Sequence, residues 1–69
     1  MNERKIKEKI LTVHELINKV WQKKEQETDK NMQIAYNEQI WYFEGKLDAF
    51  RDVLGIDEIN INKIREELK

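Results

Sequence analysis

The chain has no cysteine and no proline, and it has two glycines in 69 residues. Without cysteine there is no disulfide framework and no thiolate site for zinc or iron-sulfur clusters, so a stapled secreted mini-domain is excluded and the cytoplasm is the expected location. Without proline, and with so little glycine, the sequence has few of the residues that punctuate loops, and long helices become the default. No uninterrupted apolar run approaches the roughly 20 residues needed to span a bilayer. The first ten residues, MNERKIKEKI, alternate charge with isoleucine and lack the apolar stretch of a secretion signal, which predicts mature protein from the start. Charge of one sign is also missing. Thirteen Lys and Arg oppose fourteen Asp and Glu, for a net charge of -1, so no global field draws the chain to nucleic acid or anionic lipid. The balance shifts mildly along the chain, from +2 over residues 1–30 to -3 over residues 31–69.

Apolar and charged residues each make up 39% of the chain. So short a chain forms one domain, and its core alone supplies little stability. Ile6, Ile10, Val13, Ile17 and Val20 follow one another at intervals of 4, 3, 4 and 3, which predicts a helix from about Glu3 to Glu27 that buries one stripe. Leu16 and Trp21 flank that stripe. A second helix is predicted from about Lys30 to Leu54 on Tyr36, Ile40, Phe43, Leu47, Phe50 and Leu54, again at intervals of 4 and 3. Gly55 followed by Ile56 supplies its stop, as the left-handed residue and the apolar residue of a Schellman motif. Thr28 or Asp29 is the available N-cap.

One continuous helix is the alternative, since Val13, Val20, Ile34 and Trp41 share a seven-residue spacing. Continuing the first stripe past Val20, however, meets Lys24, Glu27 and Asn31, and the second stripe is rotated from it by more than a quarter turn. Phase therefore favours a break near Glu27 to Asn31 and an antiparallel hairpin. After a linker at residues 56–59, Asn60 is a plausible cap for a short helix from Ile61 to Lys69, with an apolar edge of Ile61, Ile64 and Leu68. The expected fold is all-α, an antiparallel hairpin of two long helices plus a short C-terminal helix, and its apolar faces predict a homo-oligomer.

Catalytic chemistry has little to work with. His14 is the only histidine, and it sits beside the buried stripe without a nucleophile in register. No Gly-rich phosphate loop occurs. The stretch from Asp57 to Glu67 fails as a calcium loop because Ile stands at its third and fifth positions, where oxygen ligands belong. No enzyme activity, cofactor or metal is expected. The segment from Ala49 to Lys69 superficially has a helix-turn-helix outline. Its glycine is misplaced, though, and Lys63, Arg65 and Lys69 are offset by Glu66 and Glu67, so nucleic-acid binding is not expected. The basic run Arg4, Lys5, Lys7 and Lys9 serves as the solvated face of a core helix, and no membrane role is expected of it.

The informative surface lies on the second helix away from its stripe. At about 100° per residue, Ile34 and Trp41 point away from the seam together with Glu38, Glu44, Gly45, Asp48 and Asp52. A large aromatic left outside the seam suits an interface. The like-charge pairs Glu44/Asp48 and Asp48/Asp52, four residues apart, would be relieved by a cationic partner. These seven residues are the candidate partner-binding set, the partner being another protein. The rival is that a third helix or a second subunit covers Ile34 and Trp41 for structural reasons alone.

The stretch Trp41-Tyr42-Phe43-Glu44-Gly45-Lys46-Leu47-Asp48-Ala49-Phe50-Arg51-Asp52-Val53-Leu54-Gly55-Ile56 resembles the second-helix ends of small helical proteins encoded by phages and prophages of low-GC Gram-positive bacteria. The resemblance covers under a quarter of the chain. It implies a regulator or inhibitor that binds a host protein. The nine Ile, ten Lys and six Asn, residue types with AT-rich codons, point to the same kind of genome. Sporulation-regulator hairpins of similar size carry a Ser-Gln-x-Leu-Asp signature that this chain lacks. The expected function is non-enzymatic protein binding by a small regulator or inhibitor. The alternative is a small DNA-binding or structural oligomerisation protein.

Overall fold

The computed structural model describes residues 2–69, and they form three helices. These are α1 (Glu3–Gln26), α2 (Lys30–Leu54) and α3 (Ile61–Glu67), with no strand among the described residues. α1 and α2 pack against each other as an antiparallel hairpin, and α3 folds back onto α1. The predicted hairpin is the fold, and the single continuous helix is not.

Each boundary has a local cause. Asn2 opens α1 by accepting the Lys5 amide on its side-chain oxygen at 2.8 Å, a cap the sequence reading did not name. The hairpin turn needs neither Gly nor Pro because it never enters the left-handed region: Glu27 and Asp29 are both extended, and no residue but Gly55 has positive φ among those described. Side chains hold it instead. The Glu27 carboxylate accepts the amides of Thr28 at 3.1 Å and Asp29 at 3.0 Å. Asp29 in turn accepts the Asn31 amide at 2.8 Å and caps α2, while the Gln33 side-chain amide donates back to the Glu27 carbonyl. Donors otherwise orphaned at the start of α2 are thereby satisfied.

At the far end of α2, Gly55 adopts φ 68° and ψ 32°. Its amide donates to the Asp52 carbonyl at 3.1 Å, and the Ile56 amide donates to the Arg51 carbonyl at 3.3 Å. That pair of bonds is the Schellman motif read from the sequence. Asn60 caps α3 by accepting the Lys63 amide. α3 ends at Glu67, two residues short of the expected Lys69, and α1 ends at Gln26, one short of Glu27.

The predicted α1 stripe is the core. Ile6, Ile10, Val13, Ile17 and Val20 are all buried. The α2 stripe departs from expectation: Ile40 alone is buried, while Tyr36, Phe43, Leu47, Phe50 and Leu54 are half-buried. α3 docks on α1, and it does so only at the open end of the hairpin. All three helices meet there in one cluster, where Ile64 of α3 joins Ile6 and Ile10, with Leu11, Leu47, Phe50 and Leu54 around them.

α3 has seven residues, too few to persist without docking. Its docking is fixed by an ion pair as well as by Ile64. The Lys7 ammonium donates to the Glu67 carboxylate, and the Arg4 guanidinium reaches the Leu68 carbonyl at 3.4 Å. The hydrogen bond from Lys7 holds Glu67 below its ordinary 4.5, with partial burial opposing and the charges of Lys7 and Lys63 assisting. The same bond holds Lys7 above its ordinary 10.5, again against partial burial and with help from Glu67 and Glu3. For a carboxylate with a lowered folded value, the contribution is complete above 4.5 and is lost as pH falls through that lowered value. For an amine with a raised value, it is complete below 10.5 and is lost as pH rises through the raised value. Amide exchange protection in α3 should therefore be flat from about pH 5 to pH 10 and fall at both extremes. Glu67→Gln should remove the acid-side fall specific to this pair. An α3 equally protected in acid in both proteins would mean that the pair does not secure it.

Candidate protein-binding site

The outer face of α2 carries the seven predicted partner-binding residues. Ile34, Glu38, Trp41, Glu44, Gly45, Asp48 and Asp52 are all exposed, and at 3.6 residues per turn they occupy an arc of about 120° centred on Trp41. Trp41 is 67% exposed and Ile34 56%. α3 covers neither, because it packs on α1. The rival that assigned them to the third helix is thereby removed.

The electrostatics of this face are acidic. Asp48 meets the Arg51 guanidinium at 3.5 Å, an exposed contact three residues away on the same helix and of small energetic weight. The linker brings Glu58 beside Glu44 and Asp48, where these residues line a shallow depression with Leu47, Arg51 and Ile59. Gly45 stands at the middle of the face. A Cβ built there would meet nothing within 4 Å, so no close packing among the described residues calls for glycine, although glycine costs an exposed helix interior about 1 kcal/mol relative to alanine.

A second surface escaped the sequence reading. Lys5, Lys9, Thr12, Leu16, Lys19 and Lys23 succeed one another along α1 at intervals of 4, 3, 4, 3 and 4, with no carboxylate among them, and all six are exposed. Midway along, a hollow of about 330 Å³ opens between α1 and α2. Val13, Leu16, Phe43 and Phe50 form its apolar lining, and Lys9, Thr12 and Lys46 complete it. The Lys46 ammonium lies 4.9 Å from the centre of the Tyr42 ring. Tyr42 is itself exposed and meets Phe43 edge to face, with ring centres 5.5 Å apart. The legible signal is the 4, 3 spacing of these residues, of which Lys5 and Lys9 were read as part of a solvated face. The two surfaces lie apart: the acidic one borders the linker to α3, and the hollow lies among α1 and α2 residues alone.

His14 is partly buried and faces Asn18, whose side-chain nitrogen lies 3.3 Å from His14 Nε2. Among the described residues no three His, Cys, Asp or Glu side chains gather as a metal site, and no helix is long and apolar enough to cross a membrane. Compared with known protein families, curated proteins and solved structures, the chain matches none.

Proposed function

We propose that this protein is a non-enzymatic, protein-binding regulator or inhibitor that acts by stoichiometric docking of the outer face of α2. The observation that carries the reading is Trp41, 67% exposed, flanked by Glu38, Glu44 and Asp48 and covered by none of the described helices. Water-exposed tryptophan is poorly placed for stability and well placed as an interface anchor. The surrounding carboxylates define the partner's chemistry: an apolar recess rimmed by Lys or Arg. Resemblance to phage-encoded helical proteins supports a host protein as the target and the cytoplasm as the setting.

The test is affinity capture from a lysate of a low-GC Gram-positive host, with the wild-type chain and a Trp41→Ala, Asp48→Lys variant as paired baits. Wild type should retain one protein in near-equimolar amount, and the variant should not. Equal retention by both baits, or none by wild type, would remove the reading. Capture of nucleic acid, with a mobility shift that fades steeply as salt rises, would replace it with the DNA-binding alternative.

A further inference from the structure

We infer that the hollow beside Leu16 is the receptor for Trp41 of a second copy of this chain. The inference rests on the outer face of α2 being a binding face, and it names an occupant for that face and for the hollow at once. Knob and socket are complementary in chemistry. The socket has apolar walls in Val13, Leu16, Phe43 and Phe50 and cations in Lys9 and Lys46. The knob is an indole with carboxylates on either side. An indole accepts apolar contact over its body and a cation over its face, while the flanking carboxylates answer the lysines.

The pattern extends along both helices. On α2, Ile34, Glu38, Trp41, Gly45, Asp48 and Asp52 repeat the 4, 3, 4, 3, 4 intervals of the basic stripe on α1. Laid antiparallel, the two stripes place Trp41 opposite Leu16, Gly45 opposite Thr12, and Glu38, Asp48 and Asp52 opposite Lys19, Lys9 and Lys5. Gly45, where an added Cβ would meet nothing within 4 Å in its own chain, leaves room there for a close approach of the second copy's α1. Because the hollow and the acidic face border different sides of the hairpin, one pair of copies cannot make both contacts by a twofold axis. The contact is heterologous and propagates into a ring or a chain.

Sedimentation equilibrium of the full chain at low salt, from micromolar to millimolar loading, tests this. Wild type should exceed the single-chain mass of 8.4 kDa, rise past two copies with concentration and weaken as salt screens the stripes. Trp41→Ala removes the knob and Leu16→Glu spoils the socket. Each should weaken association by about 30-fold, the effect of losing an interface anchor, while helicity is kept. Gly45→Leu, whose added Cβ would meet nothing within 4 Å in its own chain, should also block assembly. Mixing the knob-less and socket-less variants should restore a 1:1 pair that grows no further, since each retains the half the other lacks. A wild type that stays at one chain's mass, variants that assemble normally, or a mixture that stays monomeric would overturn the inference. Monomeric wild type that still captures a protein through Trp41 would overturn it while leaving the proposed function standing, and assembly without capture would support it alone.

Discussion

Ile10→Ala should lose about 2–5 kcal/mol of stability, the range for truncating a fully enclosed aliphatic side chain. Ile10 has no exposed surface and is the one side chain in the described core so completely enclosed. It stands where α1, α2 and α3 converge, between Ile6 and Ile64 and near Leu47, Phe50 and Leu54. Helical backbones on either side limit how far the site can collapse around the missing atoms. A chain of this size rarely holds more than about 3–5 kcal/mol in reserve. The variant should therefore populate the unfolded state heavily at room temperature, with α3 undocked first because Ile64 loses its neighbour. Urea titration followed by helical circular dichroism measures it. Ile10→Val, expected to cost about 0.5–1.5 kcal/mol, provides the graded control. A loss under about 1 kcal/mol for Ile10→Ala would mean that the open end of the hairpin is not the energetic centre, and Ile17→Ala in mid-seam would then become the larger lesion.

How legible this fold was differs helix by helix, for physical reasons. The α1 stripe was fully legible because a helix face buried along its whole length demands strict spacing, and its five positions are all buried. Gly55 was legible because only glycine enters the left-handed region without strain. The turn was legible through phase and not through composition, since Glu27 and Asp29 build it with carboxylates that sequence patterns do not distinguish from surface charge. The α2 stripe was read correctly in direction and too generously in depth. Its spacing shows which side faces α1. It shows neither how deeply Phe43 and Phe50 are covered nor that α3 would settle on α1 through Lys7 and Glu67, sixty positions apart. The exposed face around Trp41 follows from phase alone, and it was legible. The hollow was not, because both of its aromatics had been assigned wholly to the seam.

Trp41→Ala should leave the hairpin within about 0.5 kcal/mol of wild type, as surface substitutions do, while weakening docking at the outer face of α2 by about 2 kcal/mol or more. The ring is 67% exposed and lies off the seam, so its removal opens no cavity between the long helices. Phe43→Ala is the contrast. Phe43 touches Tyr42 edge to face and lines the hollow between α1 and α2. Its half-buried ring should cost less than the roughly 3–5 kcal/mol of a fully enclosed phenylalanine, yet clearly more than Trp41. Urea midpoints for both variants, taken dilute enough that wild type is a single chain and set beside their affinities for the captured partner by calorimetry, separate the two roles. Trp41→Ala should keep its midpoint and lose its affinity; Phe43→Ala should lower its midpoint whether or not a partner is present. If Trp41→Ala lowers the midpoint as far as Phe43→Ala does, the indole is part of what holds α2 to α1, and the acidic face around it is surface and not a site.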